Sequence, residues 1–222
     1  MSAEGFDNEH KIAEYLDGKK FSELNENMKR LIIALNNGKK IDEDTVIWSK
    51  PLGGLKKADM VVSFENVTVG VSVKKGGGNS VHQEKIEFFI SFIDRLGASE
   101  EVKNYLKEFI DSYEDGDVFF ARYPEKRQVI QSFFNDHAEV LLKRFLKTGR
   151  QPDGYAEYIY HGTIHSGRFR KTNEIITEMA SGPCMGKAVY VGGLTFQKWN
   201  TRNEEKRGSI QLKAPTLRKY LK

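Results

Sequence analysis

Asp59, Ser72 and Lys74 fall in the stretch KKADMVVSFENVTVGVSVKKGGGNSVHQE, which goes on to supply Gln83 and Glu84, with Glu87 just beyond. A carboxylate, an ammonium and further acids are the parts of a hard-cation site. Mg²⁺ takes oxygen ligands, usually one or two carboxylates, and leaves substrate phosphates to complete its shell. An ammonium beside it orients or activates a water, or neutralises charge at a phosphate. Glycines at Gly76, Gly77 and Gly78 permit close approach of a ligand or backbone. The bland alternative is a cross-strand ion pair, worth about 0–1 kcal/mol when exposed.

These side chains meet only if the chain folds as a hairpin. Residues 58–64 and 67–75 are rich in valine and alternate in polarity, as strands do. A two-residue turn at Glu65-Asn66 sets Phe64 opposite Val67, Val62 opposite Val69 and Met60 opposite Val71. Those apolar pairs define a buried face, and a slip of one residue would put them in water. The other face then groups Asp59, Ser72 and Lys74 at one end. Ser80 with Gln83 three residues on reads as a capping box, so a helix is expected from there. Its apolar face is Ile86, Phe89, Ile90 and Ile93, its start offers amide donors to an anion, and it carries Glu84 and Glu87. Upstream, Ile12, Tyr15 and Leu16, then Met28, Leu31, Ile32 and Leu35, recur at helical spacing, with a stop and left-handed cap at Gly38. Residues 45–49 read as a strand, 101–113 and 125–147 as helices, and DVFFARY between them as a possible strand. From 151, GYAEYIYHG, KAVYVGGLTF and SIQLKA read as strands.

The hairpin and its helix resemble the PD-(D/E)xK nuclease superfamily, which includes most type II restriction endonucleases. The acid is Asp59, preceded by Ala58 where the pattern often has proline, and Val73-Lys74 forms the x-K half. Ser72 stands where the family usually has Asp or Glu. The resemblance then implies a second carboxylate brought from downstream, Glu84 or Glu87, with Ser72 and Gln83 supporting the site. It covers about residues 7–96. It implies an α/β fold with a mixed central sheet flanked by helices: a nuclease core with a helical insertion over 1–150, and a strand-rich subregion over 151–222 that completes the domain. It further implies a Mg²⁺- (or Mn²⁺-) dependent DNA endonuclease of the type II restriction type, cutting double-stranded DNA at a specific sequence. Metal would sit on Asp59 with Glu84 or Glu87, and Lys74 would assist the attacking water. A homodimer would match a palindromic target, and a cognate methyltransferase is a possible partner. The alternatives are a binding module of the same fold that has lost cleavage, with Ser72 as the mark of loss; a repair or structure-specific nuclease; and an adaptor whose basic tail binds an acidic protein.

Outside that core the signals are weaker. The 222 residues are 39% hydrophobic and 30% charged with net charge +4, enough for one full core or for one core carrying an elaborated insertion. The segment from Lys198 onward is basic, and Gln197, Trp199, Asn200, Arg202, Arg207 and Lys213 are the residue types that hold phosphates or read base edges. Arg168 and Arg170 in GRFRK form a second basic spot, and Lys75, Asn79 and His82 flank the hairpin exit. All are candidate DNA contacts. His161 and His165 have ligand-like spacing but no cysteine beside them to finish a zinc site, and read as loop residues. Glu9, Glu14 and Glu23 read as a solvated helix face rather than accessory ligands, and 131–147 as core or dimer face. Phosphate-loop, dinucleotide-fold and nucleophile-elbow motifs are absent. The lone Cys184, the absence of any apolar run near about 18 residues and the lack of a secretory signal give a cytoplasmic expectation.

Overall fold

The computed structural model describes residues 3–54, 56–76, 80–112, 114–151, 153–182, 186–199, 207–215 and 217–222, with only the backbone for 3–6. In chain order the elements are α1 (Ala3–Leu16), β1 (Lys19–Lys20), α2 (Glu26–Leu35), β2 (Val46–Pro51), β3 (Met60–Phe64), β4 (Val67–Lys74) and β5 (Ser80–Lys85). Then come α3 (Ile86–Asp94), α4 (Glu100–Asp111), α5 (Gly116–Arg122), α6 (Pro124–Asp136), α7 (Ala138–Lys143), β6 (Tyr158–Gly162) and β7 (Gly167–Lys171). The chain ends with α8 (Thr172–Ala180), β8 (Val189–Val191), β9 (Leu194–Lys198) and β10 (Ser209–Lys213). Among the described residues no helix is long and apolar enough to cross a membrane.

Two compact units emerge, both discontinuous in sequence, whereas the sequence reading drew a single boundary at 150. The first comprises 1–78, 146–175 and 218–222; the second comprises 79–145 and 176–217. The first unit holds a mixed sheet in the order β1-β2-β3-β4-β6-β7, antiparallel except where β6 runs parallel to β4. Its core gathers Ile12, Leu16, Met28, Leu31, Ile32 and Leu35 from the helices against Met60, Val62, Phe64, Val69 and Val71. The hairpin pairs Phe64 with Val67, Val62 with Val69 and Met60 with Val71, the register that the alternation of apolar residues demands. Glu65 takes the turn at φ 48°, and Gly38 ends α2 at φ 79°, its N–H bonded to Ile33 O at 2.9 Å. Gly70 must lack a side chain, because a Cβ there would lie 2.0 Å from Tyr155 O. That clearance lets Glu157 N–H reach Gly70 O at 2.8 Å and starts β6 alongside β4.

The second unit holds an antiparallel sheet, β5-β10-β9-β8. Its inner face packs Phe196 against Phe89 and Phe134, with ring centroids 5.5 and 5.2 Å apart. Two sequence expectations change here. Residues 80–85 form a strand and not the start of a helix, because β10 pairs with them from Ser209↔Lys85 to Lys213↔Ser80. Ser80 and Gln83 still touch, with Gln83 Nε2 donating to Ser80 Oγ at 3.3 Å, but no helix end is capped by them. The helix begins at Ile86, after a Lys85 cap with no side-chain bond. DVFFARY is mostly helix, as α5, with Phe119 and Phe120 buried on rings of its own unit.

Candidate functional site

At one end of the β3–β4 hairpin, Asp59 continues the ladder just ahead of β3, its N–H bonded to Val71 O at 2.9 Å. One carboxylate oxygen, Oδ2, accepts three bonds: from Ser72 Oγ at 2.9 Å, Val73 N–H at 2.6 Å and Lys74 Nζ at 3.0 Å. Lys74 also donates to Val73 O at 3.1 Å. An ammonium has three donors, so one N–H of Lys74 is left over among the described residues, as is Oδ1 of Asp59. Asp59 and Ser72 are buried, while the Lys74 side chain is 21% exposed.

A second acid stands beside this cluster. Glu9 on α1 is only 4% exposed, not on a solvated face as the sequence suggests. Burial, reinforced by the Asp59 charge, pushes its pKa up to about 7 against the pull of Lys74. The Glu9 carboxyl accepts no hydrogen bond from the described residues. The neighbouring Asn8 anchors α1 at the end of β6, its Nδ2 donating to Gly162 O at 3.0 Å. The sequence carries a signal for Glu9: it lies three, four and seven residues before Ile12, Ala13 and Leu16, all at 0% exposure, so an acid sits on the core stripe. Glu14 and Glu23 are exposed.

Strand register extends the cluster sideways. Lys74 pairs with His161 across the parallel β4–β6 contact, and His161 pairs with Arg168 across β6–β7. His161 is therefore a strand residue and not a loop residue, with Nε2 3.0 Å from Gly76 O, while His165 lies in the turn before β7. Lys75 and Arg168 are exposed. Arg170 is held by Glu174 Oε2 at 3.0 Å and Tyr220 O at 3.1 Å.

The other expected site residues belong to the second unit. Glu84 is closed off: Arg144 Nε and Nη2 reach its two oxygens at 3.0 and 2.6 Å, and His82 Nε2 lies 3.1 Å from Oε1. Burial alone would raise the Glu84 pKa, but hydrogen bonds from His82 and Arg144 outweigh it and hold the carboxyl below the ordinary range. The Arg144 guanidinium carbon also sits 4.2 Å from the Phe92 ring centroid, and the His82 ring packs 5.1 Å from Phe145. His82 is thus an interior side chain. Glu87 is exposed on α3, and Gln83, one residue from Glu84, takes the opposite, polar face of its strand. On that polar side are Gln197 and Lys213; Trp199 N–H bonds Ser209 O at 2.8 Å, and Arg207 O accepts from Lys85 Nζ at 2.7 Å. Asn79, Asn200 and Arg202 lie outside the described residues.

The sequence expected Mg²⁺. Among the described residues no group of three or more His, Cys, Asp and Glu is close enough to hold a metal ion. Asp59 and Glu9 nevertheless suit Mg²⁺, which needs only one or two protein carboxylates. A buried carboxyl whose ionisation is opposed by a neighbouring carboxylate is a place where a divalent cation relieves both penalties.

No family model and no curated protein matches the chain. Among solved structures, the chain is similar to restriction endonuclease MspI in complex with its cognate DNA, with a TM-score of 0.60 at 15% identity, over 84% of this chain and 76% of that one. With its mixed six-strand sheet, flanking helices and second sheet, the fold is restriction-endonuclease-like.

Proposed function

We propose that this chain is a Mg²⁺-dependent DNA endonuclease of the type II restriction type. The observation that carries the reading is the spare capacity at the hairpin end: Asp59 Oδ1, one N–H of Lys74 and the Glu9 carboxyl are left without hydrogen-bond partners among the described residues. A purely structural ion pair would have no need of a second, destabilised acid. The fold similarity to MspI, whose structure includes its cognate DNA, supports the same reading.

In this proposal Asp59 and Glu9 hold the metal, and Glu84, spent on Arg144 and His82, is not needed. Bound Mg²⁺ would supply Lewis-acid stabilisation of charge on the phosphoryl oxygens. Ser72 and Val73 N–H fix the Asp59 carboxylate, so that one oxygen is set and the other stays available. Lys74, held by Asp59 and Val73 O, aims its remaining donor at the attacking water or a phosphoryl oxygen. Water adds at phosphorus, one P–O bond breaks, and the products are a phosphate monoester and a hydroxyl. His161 and Arg168, in register beside Lys74, with Lys75 next in sequence, would hold flanking phosphates. The reading brings with it a two-fold homodimer on palindromic DNA, a protecting methyltransferase and a cytoplasmic setting.

Ser72 favours a second reading, a DNA-binding module without cleavage, because it donates to Asp59 where a third acid would otherwise stand. Plasmid incubated with and without Mg²⁺ separates the two. Discrete fragments from the wild type, lost in Lys74→Ala, support the nuclease. Tight DNA binding with no cut product in Mg²⁺ or Mn²⁺ leaves only the binding module.

A further inference from the structure

Three glutamines stand in line across the second unit's sheet. Gln83 on β5 pairs with Gln211 on β10, which pairs with Gln197 on β9. Neighbouring strands lie about 4.8 Å apart, so the row spans about 10 Å. The adjacent positions Glu84, Ile210 and Phe196 are buried, which puts the glutamines on the opposite, half-buried face. The row is also tied together. Ser80 Oγ accepts from Gln83 Nε2 at 3.3 Å and from Gln211 Nε2 at 3.1 Å, which restrains both amides. Gln197 lines a hollow of about 450 Å³ whose walls also include Lys198, Lys213, Thr195, Tyr190, Asp115 and Asp117.

We infer that this amide row is a base-reading surface, and that its ligand is the major-groove edge of duplex DNA containing adenine. A glutamine side chain carries one acceptor and two donors on a single plane, the complement of adenine N6–H and N7. A span of about 10 Å covers roughly three base steps at about 3.4 Å each. β9 and β10, the central antiparallel strands of the sheet, carry two of the three amides on one face, and β5 carries the third. Asp115 and Asp117 can accept from exocyclic amino groups, and Lys198 and Lys213 offset their charge, so the hollow offers partners for base edges as well as backbone. Lys213, in the same strand as Gln211, supplies the positive charge that DNA requires nearby.

The inference rests on the proposed nuclease reading, and one experiment separates the two. Randomised duplex DNA is selected for binding by the full chain carrying Lys74→Ala to silence cleavage, while the wild type is assayed for cutting. The expected result is an enriched motif with adenine at defined positions. Adding Gln211→Ala, or separately Gln197→Ala, should lower discrimination at one position by roughly ten- to hundredfold. Low-salt affinity for random DNA should stay within about twofold, because phosphate contacts supply it. If both variants select the unchanged motif with undiminished preference, the amide row does not read bases, although the nuclease reading survives. If the wild type neither cuts nor binds DNA, both fail.

Discussion

Asp59 with Lys74 and Glu84 with Arg144 are both carboxylate–cation contacts, at 3.0 and 2.6 Å, one in each unit. Their surroundings differ. Glu84 has both oxygens taken by one guanidinium, a histidine as third partner, and a side chain at 0% exposure. Every charge there is answered, which is how a buried pair avoids the several-kcal/mol penalty of desolvation. Asp59 has three donors crowded on one oxygen, a partly exposed lysine beside it, and a second buried acid at Glu9. A satisfied cluster holds structure together. An unsatisfied one, kept in place by its backbone, keeps the bonding capacity that the proposed metal would use. Sequence spacing ranks the two acids the other way, since Glu84 follows the Ser-x-Lys element closely and Glu9 is far upstream.

The largest expected effect is on the closed pair. Glu84→Ala leaves Arg144 buried and unpaired and should cost about 3–5 kcal/mol in urea unfolding. Glu84→Leu combined with Arg144→Met should recover most of that loss, because an apolar pair of similar volume needs no solvation. A Glu84→Ala protein of native stability that has lost cleavage would invert the comparison and make Glu84 the better candidate for the proposed metal.

Next comes the open pair. Lys74→Ala should cut the cleavage rate by at least about 100-fold, the usual loss when one positioned donor is removed from an active site. Its unfolding free energy should fall by about 1–3 kcal/mol, less than for Glu84→Ala, because Asp59 keeps the Ser72 and Val73 donors. A large stability change with cleavage intact would make Asp59–Lys74 a structural contact like Glu84–Arg144.

Ser72→Ala is a finer probe. It removes a donor from the charged Asp59 and leaves Val73 N–H and Lys74 in place. Losing that bond frees the Asp59 carboxylate to turn and should slow cleavage about tenfold, the loss expected from one hydrogen bond to a charged group. An unchanged cleavage rate would mean that Ser72 only packs.

Much of this geometry is legible in the sequence. Alternating valines fix the hairpin register, because any slip would expose Met60, Val62 and Phe64, and the register brings Ser72 and Lys74 to Asp59. What is not legible depends on partners far along the chain. Residues 80–85 carry a helix-start pattern, yet the pairing with β10 decides for strand and turns Glu84 inward onto Arg144. Propensity is a weak prior against such tertiary pairing. His161 looks like a loop residue because its neighbour β4 is a parallel strand remote in sequence. Glu9 is the instructive case, since its place on the stripe of Ile12, Ala13 and Leu16 was readable, but an acid on a helix is ordinarily taken for surface.

The smallest effect isolates Glu9 itself. Its folded pKa of about 7 lies above the ordinary carboxyl value of 4.5, so between those values the folded state holds a proton that the unfolded chain has released. Stability must therefore fall as pH rises through that window and level off above it. In metal-free buffer the wild-type Tm should decline from about pH 5 to about pH 8 relative to Glu9→Gln, which cannot ionise. Mg²⁺ favours the charged form, so it should raise the wild-type Tm more at pH 8 than at pH 6 and do so little in Glu9→Gln. Parallel Tm curves for the two proteins, with and without Mg²⁺, would mean that the proton is not held at Glu9. The hairpin end would then be as well satisfied as the Glu84 cluster, and the contrast between the two acids would disappear.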